Sequence, residues 1–436
     1  MQGGFTMSDY PKLLIINDES IYKKNATGIT LRSLIKSWPS QAVIEFHLWK
    51  PSVEEDESID LRAYLIPREV FPLNKLLRKI TRASQEVESR GISFGGVKST
   101  NPNNNLKSGI KEYAKYLGES KCIDISPVIS ILRRESFIPD VIYTMGSRFA
   151  MHKLTTLLAQ YYGCGTCFHF MDNWRETAFK NTPIFMGLNR KLNDSIAEVI
   201  CHSNTSLVIS PLMKSAYEKK YGGNYSILMN SVKIEKPCLF EDKDCLLFSY
   251  AGGLHLNRYK SLLQIQKVIG KLSIAAKLLI YTNSNSKEKY GDLFDKSITE
   301  FREFVPHDRV REIYEEADVL IHVESFDPEQ IEYTKYSLST KIPEYMSSGK
   351  PILCYAPENI SVYQYVETSG GGLCASTEKD LLDCIVQLAE NKQLRKNIGE
   401  KGYQQALLHH DIIAAQTLFL NVIKSDVKRL ECDNEQ

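Results

Sequence analysis

Two short stretches of this chain gather the residue types that hold a phosphorylated ligand. The first is Glu324–Pro351 (ESFDPEQIEYTKYSLSTKIPEYMSSGKP), which follows the apolar run Ala317–Val323 (ADVLIHV). A buried strand over that run leaves Glu324 and Ser325 at its carboxyl end, where ligands of open α/β sheets bind. Ser339 and Thr340 are helix-capping residue types, and Pro343 and Glu344 suit the first turn of the helix they would cap. A helix N-terminus presents unpaired backbone N–H groups and a partial positive charge, which suit a diphosphate, and Lys341 adds a formal charge. A carboxylate at Glu344 can accept both hydroxyls of a ribose. A capped surface helix with Lys341 and Glu344 merely solvated fits the same residues. The second stretch is Tyr250–Lys260 (YAGGLHLNRYK). Gly252 and Gly253 let backbone approach a ligand, Arg258 can fork onto phosphate oxygens, and Lys260 can act as a point charge. A tight strand-to-helix turn with exposed basic residues is the competing reading, since no three-glycine fingerprint is present.

Other suggestive residues carry less. Cys164 and Cys167 form a C-x-x-C, but the pair precedes a strand, whereas a redox motif opens a helix. No second pair stands at zinc spacing, so no metal is expected. Asp242-Lys243-Asp244 imitates a metal-binding D-x-D yet lies in a charged segment ahead of a strand, as a solvated cluster would. His409-His410-Asp411 reads as an exposed helix boundary, and His169 as a packed core histidine.

The elements that must position these residues alternate between strand and helix. Lys12–Asn17, Val43–Trp49, Val141–Met145, Thr166–Phe170 and Leu207–Ser210 read as buried strands, with helical stretches at Leu31–Trp38 and Met151–Tyr161. A second series follows the segment Lys233–Asp244, read as a linker. Its strands are Leu246–Ala251, Lys277–Tyr281, Val319–Val323 and Pro351–Tyr355, separated by helices at Tyr259–Leu272, Val310–Glu316, Pro343–Ser348 and Glu378–Asn391. The expected organisation is therefore α/β. An N-terminal Rossmann-like domain spans 10–236, a C-terminal one spans 245–410, and a helix over 411–430 packs back on the first. Ligands would bind in a central cleft.

Composition narrows the function classes. The 436 residues carry 54 Lys+Arg against 53 Asp+Glu, so a bulk electrostatic partner such as nucleic acid is not expected. No apolar run is long enough to span a bilayer, and MQGGFTMSDYPK is no signal segment, so a cytoplasmic location is expected. The 10 cysteines read as reduced core thiols. Arg68–Arg82 (REVFPLNKLLRKITR) interleaves large apolar and basic residues, which suits either an anionic membrane surface or an amphipathic helix on the sheet, with Pro72 favouring the latter. Ser84–Ser108, rich in Gly, Asn and Ser, reads as a long loop.

The segments AGGLHLNRYKSL, VPHDRVREIYEEADVLIHVESFD and SLSTKIPEYMSSGKPIL, in this order, resemble the donor-binding half of family 4-type glycosyltransferases of the GT-B fold. The likeness covers roughly 246–408 strongly and the N-terminal half in outline. It implies two Rossmann-like domains and transfer of a sugar from a nucleotide-diphosphate donor without a metal or other cofactor. The anomeric configuration would be retained. It further implies that Arg258 and Lys260 neutralise the diphosphate, that Ser339, Thr340 and Lys341 contact phosphates, and that Glu344 holds the ribose. Gly252 and Gly253 complete the donor loop. Family members commonly carry two glutamates separated by seven residues. Here the position so spaced before Glu344 is Tyr336, and the upstream acid is Glu324, with Pro328–Lys335 intervening.

In the N-terminal half, the loop containing Gly28 follows the first strand, where the family places a glycine loop near phosphate or acceptor. His169–Trp174 (HFMDNW) resembles an H-x-x-D-D-W stretch of some relatives. Asp172 would then accept a proton or hold an acceptor hydroxyl, and Trp174 would stack on a sugar; the residue types by themselves favour a helix cap and a core aromatic. The expected acceptor is a saccharide or lipid-linked saccharide of surface polysaccharide or glycoconjugate synthesis, met peripherally at the inner face of the membrane. A nucleotide-sugar epimerase of the same fold, or a non-catalytic nucleotide-binding subunit, remains compatible with these residues.

Overall fold

A computed structural model describes residues 10–23, 26–49, 61–73, 113–114, 116–173, 186–241, 243–306 and 309–427. The chain divides into two compact units, one of Met1–Ile209, Lys214–Leu228 and Gln416–Gln436, the other of Ser210–Met213 and Met229–Ala415.

The first unit is built on seven parallel strands: β1 (Leu13–Asn17), β2 (Val43–His47), β3 (Arg62–Leu65), β4 (Val141–Thr144), β5 (Gly165–Phe170), β6 (Ser206–Val208) and β7 (Tyr225–Ile227). Their order is β3-β2-β1-β4-β5-β6-β7. β1 is apolar along most of its length and wholly buried because helices must cover both faces of a parallel sheet. On one face Leu14, Ile16, Ile44, Phe46 and Ile142 meet Met151, Leu154 and Leu158 of the helix Phe149–Tyr162. The helix Ile412–Val427 contributes Phe419, whose ring packs edge-on to Trp38 and Tyr143 at 5.7 and 5.4 Å. Val70 and Phe71 are buried in this unit's core, so the start of the basic stretch is packed against protein. The rest of Arg68–Arg82 from residue 74, and Ser84–Ser108, lie outside the described residues.

The second unit carries β8 (Leu246–Ala251), β9 (Ala276–Thr282), β10 (Thr299–Glu303), β11 (Val319–Val323), β12 (Ile352–Tyr355) and β13 (Gly372–Ala375), parallel in the order β10-β9-β8-β11-β12-β13. Alternation along the strands sorts side chains between two cores. Leu278, Ile280, Ile321 and Leu353 join Leu262 and Ile265 on one face. Leu279, Leu320, Ile352 and Cys354 join Ile342 and Met346 on the other.

Two sequence readings change here. Residues 233–244 do not form a free linker: Cys238 N–H donates to Ser348 O at 2.7 Å, and Lys350 Nζ donates to Leu239 O at 2.8 Å. His410 is not an exposed boundary residue. It is fully buried, its Nε2 2.7 Å from Tyr365 Oη and its Nδ1 2.8 Å from Asn230 O, and burial brings its pKa down to about 4. Its neighbours lie far away in sequence, so local polarity gave no hint of them. Cys164, Cys167 and His169 agree with their readings, while Asp242 of the D-x-D lies outside the described residues. Burial raises the thiols of Cys164, to about 12, and of Cys167, while His169 is buried with Nδ1 2.7 Å from Tyr143 Oη. Among the described residues no helix is long and apolar enough to cross a membrane.

Candidate functional site

In the second unit the chain builds outward from β8 in one direction to β9 and β10, and from β11 in the other. The gap between the carboxyl ends of β8 and β11 is thus a topological switch point, the usual ligand crevice of such sheets. The Gly252-Gly253 turn follows β8, and Glu324-Ser325 follow β11.

The turn after β8 is closed by its own groups. Tyr250 Oη donates to Gly253 O at 2.8 Å, and Gly252 N–H donates to Tyr281 O at 2.9 Å. Leu256 and Asn257 then adopt left-handed backbone with φ of 56° and 59°. That conformation disfavours a bulky residue such as leucine and is characteristic of strained functional loops. Asn257 is held there by its Nδ2, which donates to Asp327 Oδ2 at 2.5 Å. The helix Arg258–Ile269 starts immediately after, which turns Arg258 toward the end of β11.

Arg258 forks onto Glu324: Nε lies 3.0 Å from Oε2 and Nη2 2.8 Å from Oε1. Glu324 is buried, with His322 Nε2 3.3 Å from its Oε1. Burial pushes the Glu324 carboxyl up, but the close His322 imidazole and the charge of Arg258 outweigh it and hold the pKa down at about 2. Glu324 is therefore a fixed anion that orients Arg258.

Lys341 stands differently. Its ammonium lies 5.6 Å from the centroid of the Tyr250 ring and has no carboxylate within ion-pair distance among the described residues. Burial and the nearby Arg258 cation lower its pKa to about 8, against the opposing pull of Glu344 and Glu324. A side chain on Gly252 would overlap Lys341 Nζ and come 2.9 Å from Tyr250 Oη, so the glycine is what gives the ammonium its place. A desolvated cation beside a second cation is poised for an anion.

The other expected donor residues fall around this pair. Tyr314 Oη donates to Glu344 Oε2 at 2.6 Å and so orients that carboxylate. Thr340 precedes the helix Lys341–Ser347 in helical backbone and makes no side-chain capping bond, contrary to the capping role read for it. Ser339 Oγ accepts only a long bond, 3.4 Å, from Lys341 N–H. Lys260 is exposed and pairs with Asp327 at 3.0 Å, so its charge is partly spent at the surface. A side chain at Gly253 would clash with the His255 imidazole. Composition and spacing missed His255, His322 and Tyr314; a signal was available for His322, the one polar residue in the apolar run Val319–Val323.

In the first unit, Gly28 lies inside the helix Ala26–Ile35 rather than in a loop, and it is buried. Asp172 is exposed in a bend after β5, and Trp174 lies outside the described residues.

Residues 266–419 match a protein family described as glycosyl transferase-like. No curated protein matches the chain. Among solved structures, Anabaena Alr3699/HepE in complex with UDP and glucose aligns with TM-score 0.61 at 11% identity, over 95% of this chain and 100% of its own. A Rickettsia africae glycosyltransferase aligns with TM-score 0.61 at 11% identity, over 96% and 99%. Sucrose-phosphate synthase of Thermosynechococcus elongatus gives 0.59 at 11%, over 95% and 98%. The chain thus has the GT-B fold, two Rossmann-like sheets, and its glycosyl transferase-like segment includes Glu324, Lys341 and Glu344.

Proposed function

We propose that the chain transfers a hexosyl group from a nucleotide-diphosphate sugar to a saccharide or lipid-linked saccharide, with retention and without a metal. The setting is the cytoplasmic side of surface polysaccharide or glycoconjugate synthesis, with peripheral contact to the membrane that carries the acceptor. The observation that carries this reading is the cation over Gly252. Lys341 is desolvated and unpaired among the described residues, and it stands near an Arg258 already aimed by Glu324. Departure of the sugar builds charge on the diphosphate. Cations fixed before the reaction stabilise that charge more than they stabilise the bound donor, which accelerates transfer. Glu344, oriented by Tyr314, is the ribose acceptor in this scheme, and Glu324 acts by holding Arg258 at the donor. Ser339, Thr340 and the Gly252-Gly253 turn supply the backbone lining. The first unit takes the acceptor, with Asp172 and Trp174 as contributors after β5.

UDP and UDP-glucose, which the HepE structures contain, are natural first probes. Calorimetry with UDP, GDP, ADP and their nucleosides, followed by slow hydrolysis of the matching glucose and galactose nucleotides, tests the scheme. The expected result is at least one diphosphate bound far more tightly than its nucleoside. Equal affinity for each pair would refute it.

A further inference from the structure

The first sheet has a switch point of its own, between β1 and β4, and its groups are not used by the donor scheme. Asp18 directly follows β1. Its backbone O accepts from Leu48 and Trp49 N–H at 3.2 and 3.1 Å, which ties the end of β2 to it. Its Oδ2 accepts from Ser147 N–H at 2.6 Å and from Ser147 Oγ at 2.9 Å, which ties in the end of β4. Asn17 Oδ1 accepts from Met145 N–H at 2.9 Å beside it. The 145–148 turn is itself rigid: Gly146 N–H donates to Thr144 Oγ1 at 3.0 Å, and Gly146 O lies 2.9 Å from His152 Nε2. A Cβ at Gly146 would overlap the Met151 side chain, so the turn packs directly against the helix Phe149–Tyr162. Three strand ends thus converge on Asp18, and β4 is tied to its carboxyl group, yet the second carboxyl oxygen, Oδ1, is buried with no hydrogen-bond partner among the described residues.

A buried carboxylate oxygen left without a donor is costly, and so much fixed structure around it marks a prepared acceptor. We propose that Asp18 Oδ1 accepts a hydrogen bond from a hydroxyl of a saccharide bound at the β1/β4 switch point, making Asp18 a ligand-positioning residue of the first unit. The charges already present favour a neutral ligand. Arg148, whose guanidinium lies 5.1 Å from the Trp49 ring centroid, is paired with the buried Glu119, so an added anion would face two carboxylates. Burial raises the pKa of Asp18, which shows surroundings that disfavour further charge. A hydroxyl supplies the missing donor without bringing any.

This inference rests on the proposed function for the class of ligand, but its test does not share the donor site. Ligand-observed saturation-transfer NMR would use the methyl glycosides of glucose, galactose, mannose and N-acetylglucosamine, on the full chain saturated with UDP. At least one glycoside is expected to bind beside UDP. Asp18→Asn, which keeps the shape and presents an amide, should weaken that glycoside at least tenfold while UDP affinity stays within twofold. Ser147→Ala, which leaves the carboxyl but frees Oδ2, should weaken it severalfold and serves if the Asn variant does not fold. No glycoside bound beside UDP, or variant affinities within twofold of the wild type, would overturn the assignment. Failure of UDP itself to bind, with the glycoside effect intact, would count against the donor scheme alone.

Discussion

The ammonium over Gly252 gives the proposed donor site a titration of its own. With a pKa of about 8, Lys341 is mostly charged at pH 7, and only about one molecule in ten is charged at pH 9. A diphosphate placed against it supplies the missing counter-charge and returns the bound pKa toward the ordinary lysine value or above. Binding then takes up a proton as pH rises past 8, so affinity for the diphosphate should fall about tenfold between pH 7 and 9. The folded apoprotein behaves in the opposite sense. Its lysine pKa lies below the unfolded value, so the cost of a buried ammonium disappears as pH rises through 8 and stability increases there. Calorimetry of UDP and of uridine at both pH values isolates the phosphate effect, because titration of the base cancels in the ratio of the two affinities. Lys341→Ala should lower UDP affinity at pH 7 by about ten- to hundredfold, the scale of a lost charge-assisted hydrogen bond, and flatten the pH dependence. Lys341→Arg should keep affinity and also flatten it, since a guanidinium does not titrate in this range. A wild-type ratio that does not change from pH 7 to 9, or an unchanged slope in the Ala variant, would refute the reasoning.

Other changes separate site from scaffold. Gly252→Ala should weaken UDP about tenfold while altering stability by no more than about 1 kcal/mol in urea unfolding, because the overlap is with the mobile end of a lysine. Glu344→Gln removes a charge that raises the Lys341 pKa, so the midpoint of the pH–affinity curve should move below 8; an unmoved midpoint would place the two groups out of reach. Glu324→Gln strips a buried partner from Arg258 and should cost about 3 kcal/mol in the same unfolding assay, with a loss under about 1 kcal/mol counting against a structural pair. For His410, a pKa near 4 means that stability it contributes at neutral pH is lost as pH falls from about 6.5 to 4. His410→Ala should lose about 2–4 kcal/mol at pH 7, shallow that acid slope, and leave UDP binding unchanged.

The nine strands legible in the sequence and the four that were not divide along one physical line. β3, β7, β10 and β13 are the edges of the two sheets. An interior parallel strand is covered on both faces and must be a run such as Leu13–Asn17 or Val319–Val323. An edge strand is partly wet, so Arg62–Leu65 and Thr299–Glu303 carry charges, and Gly372–Ala375 opens on a glycine. A search for short apolar runs therefore finds the middle of each sheet and stops one strand short on either side. The helix Pro328–Thr334 and the docking of Cys238 and Leu239 through hydrogen bonds to Ser348 and Lys350 escaped for a related reason, since both depend on partners remote in sequence.

The altered glutamate spacing shows how the same limit acts on a site. A fixed spacing between two acids stands in for a fixed distance only while the chain between them keeps one path. Here the helix Pro328–Thr334 occupies the interval, and Glu324 and Glu344 are parted by far more chain than the seven-residue pattern allows. Both carboxylates nevertheless act on the same ammonium, each raising the pKa of Lys341, and Glu324 keeps its place because its N–H donates to Tyr355 O at 3.2 Å just beyond β11. The position that counts is thus the end of a strand, and an insertion beyond it changes the count without moving the group. What no count could reveal is that Glu324 would be occupied by Arg258 while Lys341 has no carboxylate within ion-pair distance among the described residues. That division depends on contacts between residues 66 positions apart in the chain and on the absent side chain of Gly252. Sequence order supplied the cast of charged groups; which of them remain available to an anion is decided only by how β8 and β11 bring their loops together.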